Sequence, residues 1–98
     1  MPKVHDPITP GEILLTEFLE PLGITQYRLA QATGLSQTRI GEIVRGKRAI
    51  TTDTGLRLSK ALGTDRRFWM NLQADYDIEV ELDRASAELD AIPQLVAA

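Results

Sequence analysis

The chain has 98 residues, a formal net charge of −3 at pH 7, one histidine and no cysteine. The lack of cysteine excludes disulfides and thiolate metal sites, and no apolar run approaches the roughly 20 residues of a membrane-spanning helix. We therefore expect a single soluble domain that does not associate with a membrane. Because no charged and then apolar leader is seen at the N-terminus, the cytoplasm is the expected compartment.

The charge is distributed unevenly along the chain. Residues 1–27 carry a net −3, residues 28–67 carry +6 and residues 68–98 carry −6. Affinity for a polyanion depends on the charges that face its phosphates rather than on the total. The central segment is therefore basic enough for a DNA-binding face, and the acidic ends are expected to point away from DNA.

Residues 1–8 contain two prolines and no hydrophobic periodicity, which predicts an extended N-terminal arm. His5 lies in this arm, and a lone imidazole without a second histidine or a cysteine predicts no metal site. The domain proper is predicted for residues 9–76. It begins at Thr9, which opens a capping box with proline at the first helical position. The apolar stripe of this first helix is expected to be core, and it consists of Leu14, Leu15, Phe18, Leu19 and Leu22.

Residues 25–46 predict two short helices joined by a tight turn. Thr25 and Ser36 are suited to cap the two helices, Gly34 to end the first, and Leu35 to fill the corner between them. This is the helix-turn-helix pattern, and the alternative is an ordinary helical hairpin within a bundle. The inward contacts are expected from Leu29, Ala30, Ile40, Ile43 and Val44.

The outward side of the second of these helices predicts base contacts. Glutamine can bond an adenine edge, arginine can bond guanine, and a threonine methyl can touch thymine. Gly41 is expected to keep the helix slim enough for close approach. The loop that follows, Gly46 to Thr51, is basic and suits phosphate contacts, although a solvated charge pair is the alternative. The predicted DNA-binding residues are Gln26, Ser36, Gln37, Thr38, Arg39, Glu42, Arg45, Lys47 and Arg48.

Two further helices are predicted before residue 77. Thr51 or Thr52 is expected to cap the fourth helix, in which Leu58 and Leu62 face inward and which Gly63 ends. Asp65 is expected to cap the fifth helix. Its aromatic and apolar residues are interpreted as core, and they are Phe68, Trp69, Leu72 and Tyr76.

The acidic segment 77–98 predicts a short sixth helix over residues 77–92. A one-sided apolar stripe at a chain end is typical of a dimer surface, because a two-fold partner buries it symmetrically. The alternative is a frayed acidic tail. The predicted dimerisation residues are Val80, Leu82, Ala85 and Leu89, with Ile92 beyond them.

Taken together, several segments resemble the HigA-type antitoxins, a branch of the Xre (lambda-repressor-like) family. These segments are ITPGEILLTEFLEPLGIT, GKRAIT, ALGTDRRFWMNLQADYDIEV and AIPQL, and the similarity extends from about Ile8 to Leu95. The resemblance implies an all-α, compact five-helix DNA-binding domain, here with a sixth helix, and it implies that Gln26 opens the first helix of the motif. One departure is Arg66-Arg67, where the family tends to have Pro-Glu; two cations at a helix N-terminus should weaken it slightly.

The resemblance also implies a function in a toxin-antitoxin module. HigA-type proteins repress their own operon and bind a small, basic, RelE-like ribonuclease toxin of the HigB type. The expected partners are palindromic double-stranded operator DNA, a second copy of the chain and such a toxin, with no cofactor. The alternative is a stand-alone Xre-type transcriptional repressor with no toxin partner. An enzyme is not expected, because the sequence has no recognisable catalytic motif and no glycine-rich phosphate loop.

Overall fold

The computed structural model describes residues 7–97. The first six residues, with His5 and most of the predicted arm, lie outside the described part, as does residue 98. Residues 7–97 form five helices and contain no strand, which confirms the predicted all-α class. Helix α1 is continuous through Pro10–Ile13, Leu14–Leu19 and Glu20–Leu22, and it is followed by α2 (Gln26–Thr33), α3 (Gln37–Val44), α4 (Thr52–Leu62) and α5 (Phe68–Asp90).

Side-chain caps begin four of the helices. Thr9, Thr25, Ser36 and Thr51 each accept a hydrogen bond from the amide three residues later. The donor–acceptor distances are between 3.0 and 3.3 Å. Since these amides have no partner inside the helix, each cap satisfies one free donor and sets where the helix begins. The predicted N-caps of α1 to α4 are confirmed, with Thr51 rather than Thr52 at α4.

The middle of α1 departs from a regular α-helix. Leu14–Leu19 is π-helical, and the amide of Glu20 donates to the carbonyl of Leu15, five residues earlier. Pro21 follows directly, and in a regular helix its ring would collide with the carbonyl of Glu17. We infer that the wider turn removes this collision.

The core lies where α1 to α4 meet the first turns of α5. Trp69 has no exposed surface, and its ring centroid lies 5.2 Å from that of Phe18 and 4.9 Å from that of Phe68. The predicted core is confirmed except at Leu22, which is 62% exposed because the chain leaves the helix at Gly23, and at Tyr76, which is half-buried and lies outside the apolar cluster. The buried apolar cluster comprises Leu14, Leu19, Leu29, Ala30, Leu35, Ile40, Ile43, Ile50, Leu58 and Trp69.

The fifth helix is longer than predicted. It extends through Asp90, so the residues expected to form a separate sixth helix continue α5 instead, and neither that separate helix nor a frayed tail describes residues 77–90. Ala85, with φ −124° and ψ 21°, bends the helix. Asp65 does not cap it; the carboxylate accepts from the amide of Arg67 at 2.8 Å, in the turn before α5. Of the helices within residues 7–97, none is both long and apolar enough to cross a membrane.

Candidate nucleic-acid interface

Helices α2 and α3 form the predicted helix-turn-helix. Gly34 ends α2 with a φ of 76°, which a side chain would disfavour, and Leu35 fills the corner with 8% of its surface exposed. The buried hydroxyl of Thr33 donates to the carbonyl of Leu29 at 2.7 Å and accepts from the amide of Leu35 at 3.3 Å. Thr33 therefore satisfies backbone groups in the corner, a role that the sequence analysis missed.

An arginine of α4 closes the end of α2. Arg57 Nη1 donates to the carbonyl of Thr33 at 2.7 Å, and its Nε pairs with Asp53 at 3.0 Å. A cation at this position complements the partial negative charge of a helix C-terminus. Arg57 contributes to the net charge of +6 of residues 28–67, but its guanidinium is already bonded to Thr33 at the end of α2 and to Asp53.

Helix α1 holds α3 by a direct backbone approach. A Cβ atom on Gly11 would lie 1.6 Å from the carbonyl oxygen of Ile43 and 3.2 Å from the Cα of Val44. No side chain fits in that space, so only glycine allows the start of α1 to lie against the end of α3. Gly11 lies within the predicted capping box, and the sequence pattern gave no sign of this contact.

The first turn of α3 presents polar side chains to solvent. Ser36, Gln37 and Thr38 are exposed, and Arg39 is half-buried. The Ser36 hydroxyl accepts from the amide of Arg39 at 3.1 Å, so it has a structural role in addition to its predicted DNA contact. The apolar side of α3 is buried, which confirms the predicted division of this helix into an inward and an outward face.

Gly41 lies beneath two of the predicted DNA-binding side chains. A Cβ atom there would be 3.0 Å from Nη1 of Arg45 and 3.5 Å from Oε1 of Gln26. Gly41 itself is buried. Gln26 of α2 and Arg45, directly after α3, thus occupy the space that the missing side chain of Gly41 leaves, and that Gly41 keeps the helix slim enough for DNA to approach stays a prediction.

Glu42 and Arg48 form an ion pair beside this surface. Nε and Nη2 of Arg48 each lie 3.0 Å from Oε1 of Glu42. The two side chains are 33% and 46% exposed, so the pair contributes about 0–1 kcal/mol. The alternative interpretation of this loop, a solvated charge pair, thus applies to Arg48. Lys47 is exposed, and its ammonium has no hydrogen bond or ion pair with residues 7–97.

A glutamine of α5 anchors the basic loop. Gln73 Oε1 accepts from the amide of Ile50 at 2.8 Å, and its Nε2 donates to Asp77 at 2.9 Å. Gln73 is only 9% exposed. Gln73 is not among the residues predicted from the sequence, although a glutamine between Leu72 and Tyr76, on the side of α5 that faces the core, indicated a buried polar contact.

We expect Gln73→Met to lower the free energy of unfolding by about 1–3 kcal/mol, because the buried Ile50 amide would lose its acceptor. Urea denaturation would measure the change. Gln31→Met is the matched control on the exposed side of α2, where we expect a change within about 0.5 kcal/mol. Equal stability of the two variants would show that the Gln73 hydrogen bond does not hold the loop.

The residues predicted for dimerisation lie on the second half of α5. Val80, Leu82 and Leu89 are 38%, 49% and 40% exposed, whereas Ala85 is 6% exposed at the bend. Ala85 is thus buried within its own chain and offers no exposed contact. A hydrogen bond from Arg84 holds the pKa of Glu81 below its usual value on this acidic helix.

Comparisons with known proteins identify the family. The helix-turn-helix family model matches residues 15–69. Virulence-associated protein I of Dichelobacter nodosus is 44% identical over 90 residues, which are 91% of this chain and 80% of that protein. Antitoxin HigA-1 of Vibrio cholerae is 38% identical over 72 residues, which are 74% of this chain and 68% of that protein.

The fold agrees with a solved structure over nearly the whole chain. The antitoxin HigA of Pseudomonas aeruginosa, determined with the higBA promoter, matches with a TM-score of 0.86 and 36% identity, covering 92% of this chain and 99% of that chain. The helix-turn-helix, the family match and these similarities lead to one assignment. The chain belongs to the HigA-type antitoxins of the Xre-type helix-turn-helix family.

Proposed function

We propose that the protein is a DNA-binding antitoxin that represses its own operon by occupying the promoter. The observation that carries the proposal is the exposed first turn of α3, where Gln37 and Thr38 extend from a helix that packs closely against α1 and α2. The likeness to an antitoxin that was determined with promoter DNA supports it. Because this function requires access to DNA, we also propose a cytoplasmic location.

Affinity and selectivity come from different residues in this proposal. The first turn of α3 enters the major groove, where Gln37, Thr38 and Arg39 meet base edges. Lys47, in the loop after α3, contacts phosphates and sets the register without selecting sequence. Arg48 also contacts phosphate, once DNA competes with Glu42 for its guanidinium. Gln26 and Arg45 lie at the border of the major groove.

We expect Lys47→Ala to weaken binding to operator and to random duplex alike, since phosphate contacts carry no sequence information. The slope of log affinity against log salt should fall by about one. Fluorescence anisotropy over a salt series would measure it, with Arg66→Ala, an exposed cation in the turn before α5, as the matched control. Arg48→Ala should change the slope less, because Glu42 already pairs with Arg48. A change of base preference at constant salt slope would contradict the assignment.

We further propose that the protein binds a palindromic site as a homodimer formed through the second half of α5. Leu82→Asp should shift the protein towards monomer in light scattering, because it places a charge on the exposed apolar stripe. Leu56→Asp is the matched control on α4, where leucine is similarly exposed at 45%. A wild-type protein that stays monomeric at micromolar concentrations would disprove the homodimer.

Finally, we propose that the protein neutralises a small, basic, RelE-like ribonuclease toxin by direct binding. Membership of the HigA-type antitoxins and the net −6 of residues 68–98 support this, since an acidic surface complements a basic partner. The test is to express the product of the adjacent reading frame with and without this chain, and to measure complex formation and RNA cleavage. If no small basic protein is encoded there, the stand-alone repressor becomes the better assignment.

A further inference from the structure

An open groove lies between α2, α4 and the end of α1. Its volume is about 340 Å³, and a cleft of about 240 Å³ that shares Ala32 and Ala61 with it extends it towards Arg57. Leu22, 62% exposed, stands at one edge. The apolar side chains that line the groove are Leu22, Ile24, Leu29, Ala32, Ala61 and Leu62.

Cations line the groove and its extension. Arg28 belongs to the larger cavity, and Arg57 and Lys60 to the smaller one. Arg57 donates a hydrogen bond to Thr33 and forms an ion pair with Asp53. The side chains of Arg28 and Lys60, in contrast, have no hydrogen bond or ion pair with residues 7–97. The groove therefore fits an apolar segment that carries acidic residues. Like-charge repulsion disfavours a basic protein as its occupant.

The end of the chain has this chemistry. Leu89, Ile92 and Leu95 are 40%, 66% and 89% exposed, and Glu88 and Asp90 flank the first of them. The helix ends at Asp90, and Pro93 prevents its continuation. Residues 88–96 thus combine an acidic helix end with an apolar stretch in which Ile92, Leu95 and Val96 are mostly exposed.

The segment does not lie in the groove of its own chain, because none of residues 88–96 lines it. The groove lies near the start of α5, because Leu62 at its edge precedes Phe68 by only six residues. The 23 residues of α5 carry the chain away from there by at most about 34 Å, a length that the bend at Ala85 shortens, within a longest molecular dimension of 49 Å. Residues 91–97 span at most about 25 Å when fully extended. Residues 88–96 would therefore enter this groove from a second copy of the chain.

We propose that residues 88–96 of one protomer bind in the groove between α2 and α4 of its partner. The inference rests on the proposed homodimer and adds a second contact to the stripe on α5. Leu89, Ile92 and Leu95 supply the apolar contacts, and Glu88 and Asp90 face Arg28 and Lys60. A two-fold axis repeats the contact, so that each protomer donates one tail and receives one.

The test uses disulfide crosslinking, since the chain has no cysteine of its own. Protein carrying Ala61→Cys is mixed with protein carrying Leu95→Cys under mild oxidation, and crosslinked dimer is quantified on a non-reducing gel. The control mixture pairs Gln37→Cys with Leu95→Cys, because exposed Gln37 does not line the groove. We expect several-fold more mixed dimer from the first mixture.

Equal yields from the two mixtures, with a dimer still present in light scattering, would overturn the groove contact and leave the homodimer standing. A monomer would overturn both. A charge reversal provides a second measurement: Lys60→Glu should weaken dimerisation up to about fivefold, and adding Asp90→Lys should restore it. If Lys60→Glu instead weakens only DNA binding, the groove binds phosphate and the contact proposed here is wrong.

Discussion

Gly11→Ala should destabilise the fold by about 3 kcal/mol or more, at the upper end of the range for overpacking. The added methyl would lie 1.6 Å from the carbonyl oxygen of Ile43, and a backbone atom cannot move aside as a flexible side chain can. Helices α1 and α3 would have to separate. Thermal unfolding should show a melting temperature lower by roughly 12 °C or more for a domain of this size.

Gly55→Ala is the matched control for this experiment. Gly55 is also helical and buried, but a Cβ atom there meets the terminal methyl of Met70 at 3.1 Å. Met70 can adjust, and alanine gains up to about 1 kcal/mol in helix propensity, so we expect a net change within about 1 kcal/mol. If Gly11→Ala proves as stable as Gly55→Ala, α1 and α3 do not approach as closely as described.

Gln37→Ala should cost about 1–3 kcal/mol in binding to the preferred DNA site and much less on random duplex. A bidentate contact between glutamine and adenine contributes an energy of that size to base discrimination. Arg39→Ala should behave likewise if its guanidinium reaches guanine from its half-buried position. Anisotropy titrations on operator and random DNA would separate the two affinities, and Gln31→Ala, on the exposed side of α2, is the matched control.

A selection from random DNA provides an independent check of the same face. A symmetric dimer requires an inverted repeat whose half-site centres are about 34 Å apart, so the wild type should select a palindrome. Gln37→Ala should relax the preference at one position of each half-site. The competing hypothesis is that this face binds a toxin. It predicts that the Gln37→Ala variant selects the same DNA but no longer binds the product of the adjacent gene.

The interactions that the sequence by itself determined are those between residues close along the chain. Thr25 and Ser36 cap their helices with hydroxyls that bond amides three residues away, and Gly34 adopts a backbone conformation that few other residues tolerate. The period of 3.6 residues per turn likewise separates the inward from the outward side of α3. These preferences act before tertiary packing, so the helix-turn-helix and most of the core could be predicted.

Tertiary structure decided which of the predicted side chains are available for binding. Arg57 is held by Thr33 across 24 residues, and Gln73 supports Ile50 across 23, contacts that no local spacing reveals. Packing also placed Gly11 against Ile43 and filled the space above Gly41.

A local charge count treats all cations of the central segment alike, but pairing leaves Lys47 free of partners within residues 7–97 and engages Arg48 with Glu42. Such pairing depends on where packed helices bring charges together, which composition cannot specify.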